Sequence, residues 1–198
     1  MSVKDQRIKV GVYIDGSNLY YGGRKAGWQL DYAKLKAFIE RKYEISVINY
    51  YNSIGYEKNE EGKYIKDQKG QYVFNQATLR FEDHLKRIGI KVISKPLKFV
   101  NGNESIATNK LDGNLMIDAM KEQNEWDELI LMSGDSDFES LVQHVISAKK
   151  IAHIFSFGSR ISHELIKLAT KNPFVTFNKL DDLKMLLKKR KQLTKQTK

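Results

Sequence analysis

Short apolar and β-branched runs alternate along this chain with stretches of helical period. The runs fall at Ile8–Ile14, Ile45–Tyr51, Lys91–Ser94, Leu129–Ser133 and Ile151–Ser156, with a shorter one at Phe174–Phe177. Strands that read as nearly continuous apolar runs are those buried on both faces, as in a parallel sheet covered by helices. The intervening pattern predicts helices at Asp31–Lys42, Phe74–Arg87, Lys110–Gln123, Phe138–Ser147 and Ser162–Thr170, then a C-terminal helix over Leu180–Arg190. The expectation is an α/β domain with a mainly parallel sheet of five or six strands.

Two stretches break the rhythm. Tyr56–Tyr72 is rich in Lys, Glu and Gly and reads as a hairpin or loop excursion. Leu97–Asn109 reads as a turn around Asn101-Gly102-Asn103, because Asn-Gly supplies the positive φ angles of tight turns. Either could line a groove or be a variable surface without a role. No internal repeat is evident.

Composition narrows the class. With 41% hydrophobic and 29% charged residues and two prolines among 198, the chain is an ordered globular protein. It contains no cysteine, which excludes disulfides, thiolate metal sites and a cysteine nucleophile. No apolar stretch spans a bilayer and the first residues lack a signal-peptide core, so the cytoplasm is the expected location and no membrane partner is expected. A net charge of +10 favours a polyanionic partner, nucleic acid being the commonest. Part of that excess lies in Lys188–Lys198, where a charge run can equally serve solubility.

In a parallel α/β sheet, ligands gather beyond the carboxyl ends of the strands. Asp15 follows the first apolar run, and Asp135 and Asp137 follow the fourth. A single Asp after a strand is usually a helix cap or turn. Three such carboxylates at two strand ends, with no adjacent Arg or Lys, repel one another and call for a hard cation. Mg²⁺ or Mn²⁺ fits oxygen ligands of this kind and couples them to phosphate oxygens, so a phosphodiester is the substrate suggested.

These residues carry a resemblance. Val12–Leu19, Lys110–Asp118 and Leu131–Phe138 resemble, in order, three motifs of the NYN-domain family, a PIN-like nuclease branch that includes LabA-like bacterial proteins. The likeness spans Val10 to about Val175. It implies a three-layer α/β/α fold, a divalent-metal site and endoribonuclease activity on RNA. It further implies that Asp15, Asp112, Asp135 and Asp137 hold the metal and the attacking water, that Asn18 fixes Asp15 or meets a phosphate, and that Ser133 shapes a turn. Residues 1–178 would then be the NYN/PIN-like domain and 179–198 a C-terminal helix with a basic tail.

Asp118 lies six residues after Asp112, about 120° around a helix, and cannot share its face. It is expected to act indirectly or to hydrogen-bond a neighbouring loop. The resemblance also implies a further acid on a middle helix, for which Glu82 and Asp83 are the positional candidates; spacing does not choose between them, and a solvated helix face explains both equally well. The segment Tyr20–Trp28 mixes aromatics, glycines and cations, as a surface that stacks bases does; its tyrosines could equally be core and its glycines a helix end. Candidate RNA contacts are Tyr20, Arg24, Lys25, Lys110 and Arg160. The four histidines lack metal-ligand spacing.

The sequence thus points to an endoribonuclease that activates water at an aspartate-held Mg²⁺ or Mn²⁺. The alternatives are an RNA-binding module with little activity and a DNA flap-type nuclease. RNA is the expected partner, and a homo-oligomer stays open.

Overall fold

The computed structural model describes residues 7–97 and 111–189. Six strands form one sheet: β1 Lys9–Asp15, β2 Glu44–Ile54, β3 Lys91–Pro96, β4 Glu128–Met132, β5 Ile151–Ser156 and β6 Val175–Lys179. Their order is β3-β2-β1-β4-β5-β6 and every neighbouring pair runs parallel. The expected parallel sheet is therefore present. β2 runs three residues past the expected Tyr51 because Asn52, Ser53 and Ile54 pair with Ser94, Lys95 and Pro96.

Alternation along each strand divides the core in two. Val10, Val12 and Ile14 of β1 join Ile130 and Met132 of β4 on one face. That face is covered by α1 (Gly16–Ala26), α2 (Tyr32–Glu40), α3 (Gln76–Arg87) and α7 (Lys184–Leu187), through Leu19, Leu35, Leu85 and Leu187. Tyr13, Leu129 and Leu131 face the other way. They pack under α4 (Asp112–Lys121), α5 (Glu139–Ser147) and α6 (His163–Lys171), through Leu115, Val142 and Leu165. The result is a three-layer α/β/α sandwich.

α1 is a helix that the sequence pattern conceals. Gly22 and Gly23 sit in its interior despite their poor helix propensity. A methyl on Gly22 would lie 2.5 Å from the Phe157 ring, and one on Gly23 2.7 Å from the Trp28 carbonyl. These glycines permit close packing; the helix ends at Gly27, in the left-handed conformation. The expected continuous helix over Leu180–Arg190 is instead a 3-10 turn at Leu180–Leu183 followed by the single turn of α7. It stops because Lys188 turns extended to form an antiparallel bridge with Leu30.

The Tyr56–Tyr72 excursion holds the internal repeat that the sequence reading missed. Gly55–Gly62, Lys63–Gly70 and Gln71–Thr78 are three copies of an eight-residue unit. Antiparallel bridges Lys58–Tyr64, Lys66–Tyr72 and Tyr56–Phe74 close them into a three-sided ribbon. Its hydrogen bonds run in a ring: Glu57 donates to Val73, Val73 to Ile65 and Ile65 to Glu57, at 2.8, 3.0 and 3.0 Å. Tyr56, Tyr64 and Tyr72 meet with centroids 5.4 to 6.3 Å apart. Lys58 and Lys66 lie over Tyr64 and Tyr72, and Phe74 occupies the equivalent place, stacked on Tyr56. Asn59, Asp67 and Asn75 fill one repeat position: the first two close turns whose Gly62 and Gly70 take positive φ, and the third caps α3. The ribbon leaves the carboxyl end of β2, so it stands on the edge of the sheet where Asp15 also ends its strand.

Candidate active site

β1 and β4 are neighbours at the centre of the sheet, with Ile14 abreast of Met132. The residues that follow them, Asp15 and Ser133, therefore meet without any long-range loop. Asp15 is the N-cap of α1: its Oδ1 accepts the Asn18 amide at 3.0 Å. Its Oδ2 accepts the Ser133 hydroxyl at 2.9 Å. Ser133 Oγ in turn accepts the Asp135 amide at 3.2 Å, so one buried serine ties both aspartates together. Asn18 Oδ1 accepts the Gly134 amide at 3.2 Å, a second tie between the same two loops. Asn18 thus meets Asp15 through its backbone amide and the Gly134 loop through its side chain, and Ser133 meets both aspartates through its hydroxyl.

Asp135 also caps a helix: its Oδ1 accepts the Asp137 amide at the 3-10 turn Ser136–Phe138 that leads into α5. The ordinary capping role and the clustering of acids therefore coexist in the same side chains. Asp15 is 8% exposed. Burial holds its carboxyl above the usual carboxylate range and Asp135 adds to the rise; the hydrogen bonds from Asn18 and Ser133 oppose it.

A cleft of about 880 Å³ opens above this edge, and Asp15, Asp112 and Asp135 all line it. Asp112 enters from the first residue of α4. Asp137 is exposed and is not among the lining residues. Arg160 and Lys189 share the lining, cations that the expectation of acids without adjacent Arg or Lys did not consider. That expectation counted only residues adjacent in sequence, whereas Arg160 arrives on the β5–α6 loop and Lys189 on the segment after α7.

Asp118 lies away from the carboxylates, hydrogen-bonded to a strand residue and not to the expected loop. Its Oδ2 accepts the Tyr51 hydroxyl at 2.9 Å. Beside it, Glu122 Oε2 accepts Tyr13 and Asn49, and the Tyr13 hydroxyl accepts the Trp126 indole. This network docks α4 onto β1 and β2, and Tyr51, which also lines the cleft, is its link to the site.

Burial distinguishes the two middle-helix acids that spacing did not. Asp83 is exposed and pairs with Lys86 at 3.7 Å, whereas Glu82 is buried with Ser94 on one oxygen and no hydrogen-bond partner on Oε1. Burial pushes the Tyr50 pKa well up, and Tyr32, Asp15 and Glu82 add to the rise. Tyr50 and Tyr32, hydrogen-bonded to each other, floor the cleft. Sequence reasoning missed both because each reads as an ordinary apolar position.

Tyr20 and Arg160 line the cleft; Arg24 and Lys25 are exposed in the last turn of α1. Lys110 and the turn expected up to Asn109 lie outside the described residues, as does the chain beyond Lys189.

Hard carboxylate oxygens from three segments match Mg²⁺ or Mn²⁺ in kind. Among the described residues no three acidic or histidine side chains converge closely enough to enclose an ion. These residues would therefore suit a hard cation only as an open site, with one or two carboxylates on the ion. Among the described residues no helix is long and apolar enough to cross a membrane.

A family model described as NYN domain matches residues 9–176. The protein LabA (low amplitude and bright) of Synechococcus elongatus is 27% identical over 185 residues, covering 91% of this chain and 88% of that one. A Vibrio parahaemolyticus protein of unknown function superposes with a TM-score of 0.66 at 21% identity, covering 94% of this chain and 99% of that one. The T5 5′-exonuclease gives 0.45 at 15% identity over 83% of this chain and 56% of that one. The match of the family model over most of its length shows that this chain belongs to the NYN domain family.

Proposed function

We propose that this protein is a divalent-metal-dependent endoribonuclease of the cytoplasm, with Asp15, Asp112, Asp135 and Asp137 as its acidic centre. Membership in a PIN-like nuclease branch supports a nuclease and a nucleic-acid substrate. The observation that carries the finer reading is the serine bridge: Ser133 links Asp15 to Asp135 across adjacent strand ends, beside a cleft that Asp112 enters from a third segment.

A bound Mg²⁺ or Mn²⁺ would lower the pKa of a water and neutralise phosphate charge. Asp15, Asp112 and Asp135 would hold it, with Asp137 at the edge. The Asn18 amide and the Ser133 hydroxyl fix both Asp15 oxygens by hydrogen bonds. Ionising the buried Asp15 is costly, so an incoming cation gains by pairing with it. Arg160 and Lys189 supply positive charge for flanking phosphates.

Incubation of a circular RNA with Mn²⁺ or Mg²⁺ tests this, because only internal cleavage opens a circle. Cleavage is expected, with a loss of about 100-fold or more in Asp15→Asn and Asp135→Asn, the scale for removing charge stabilisation from a catalytic centre. Equal rates in these variants, or with the metal chelated, overturn the proposal. One observation favours a second reading: among the described residues no three carboxylates converge on a point, as in an RNA-binding module with little activity. Tight RNA binding without turnover under either ion selects that reading, and preferential cutting of a DNA flap selects a DNA nuclease.

A further inference from the structure

Tyr20 and Tyr21 are unusual occupants of the first helix. They are 53% and 55% exposed and belong to neither hydrophobic core cluster. Their rings meet edge to face at 5.3 Å. Each carries a guanidinium, Arg24 at 5.9 Å from the Tyr20 centroid and Arg160 at 5.8 Å from that of Tyr21. Tyr20, Tyr21 and Arg160 line the same cleft as Asp15 and Asp135.

The group is fixed relative to the acids. The amide of Gly134, the residue before Asp135, donates to Asn18 of α1, and its carbonyl accepts the Ser162 amide at 2.8 Å. A methyl on Gly134 would lie 2.3 Å from the Arg160 carbonyl, so the Arg160 loop and the Asp135 loop are in direct contact. Gly22, next to Tyr21, packs on Phe157 at the root of the Arg160 loop. Rings, guanidiniums and carboxylates therefore share one rigid frame.

Resting on the nuclease reading, we infer that Tyr20, Tyr21, Arg24 and Arg160 form a base-stacking subsite that holds an unpaired nucleotide beside the phosphodiester to be cut. A π face accepts any base, and a guanidinium both stacks and meets phosphate, so the subsite reads strandedness and sets register without reading sequence. A base within a duplex is already stacked and presents no face to Tyr20 or Tyr21.

Binding is measured by anisotropy in Asp135→Asn protein, which separates it from cleavage, with a short single-stranded RNA and the same sequence as a blunt duplex. The single strand is expected to bind at least tenfold tighter. Tyr20→Ala/Tyr21→Ala raises its Kd by about ten- to a hundredfold, the range for losing one stacked base, while Tyr20→Phe/Tyr21→Phe stays within about threefold. The melting temperature of the alanine protein serves as the folding control. In protein with Asp135 intact, abasic nucleotides walked along the strand shift or abolish the cut at one fixed distance from it. Equal duplex binding, or an unchanged Kd in the folded alanine variant, overturns the subsite even if RNA is cleaved, and leaves a protein partner for the tyrosines. Binding with these preferences but no cleavage in the unmutated protein keeps the subsite and overturns the nuclease.

Discussion

Asp15 caps a helix and is also a carboxylate whose ionisation burial opposes. Its raised pKa means that the folded chain holds this proton more tightly than the unfolded chain. The resulting stability is fully present below the unfolded pKa and is lost as pH rises through the folded one. Asparagine keeps the cap acceptor and removes the charge. In metal-free protein at neutral pH, Asp15→Asn is expected to melt at or above the unsubstituted chain, the gap narrowing as pH falls below the carboxylate range. Mn²⁺ is expected to raise the melting temperature of the unsubstituted chain and leave that of Asp15→Asn unmoved. A variant that melts lower by the same margin at every pH refutes this account of Asp15. At this scale the sequence was legible where residue type and strand-end position together decide, as for Asp15, Asn18, Ser133 and Asp135. It was silent where burial decides: Glu82 and Asp83 are one residue apart, yet only Glu82 lies in the core.

Elements were legible where their period is regular. All six strands and the helices from α2 to α6 lie near the expected positions, with ends that differ by a few residues. α1 was hidden by glycines whose purpose is contact with Phe157 and Trp28, a tertiary fact. The eight-residue repeat was hidden because its third copy replaces Lys with Phe74 and Gly with Thr78, where the ribbon turns into α3. That junction is the mechanical link between ribbon and cleft, since Asn75 and Thr78 line the cleft and Asn75 Oδ1 accepts both the amide and the hydroxyl of Thr78. Asn75→Ala is expected to cost about 1 kcal/mol, the usual worth of an N-cap, and to lower the melting temperature by roughly 2–4 °C. Asn59→Ala, which opens only an exposed turn, is expected to cost less. Calorimetry of the two variants checks the order; equal losses would mean that the cap does not couple the ribbon to α3.

At the scale of the molecule, the strand order was beyond sequence patterning, because period identifies strands without identifying their neighbours. The consequence of that order is the site itself: β1 and β4, distant in sequence, lie side by side and present Asp15 beside Ser133. The same closure governs the C-terminal segment. Asp31 donates to the Leu187 carbonyl, Lys34 to that of Lys188, and the Lys189 amide to Gln29, so the chain is stitched to the α1–α2 connection as it reaches the cleft. Arg190, Lys191, Lys195 and Lys198 follow with no acidic residue among them. On the proposed nuclease reading, these four cations add to the charge available to the phosphates of a bound strand. Each single-strand phosphate neutralised contributes about 0.7 to the slope of log Kd against log salt, so removing residues 190–198 is expected to lower that slope by up to about 3 and to weaken binding most at low salt. Tyr20→Ala/Tyr21→Ala, which removes stacking and no charge, is expected to weaken binding at every salt concentration with the slope intact. A truncated protein with the same slope leaves the tail to solubility alone, and one that cleaves faster makes the tail an occupant of the acidic cleft instead of a grip on RNA.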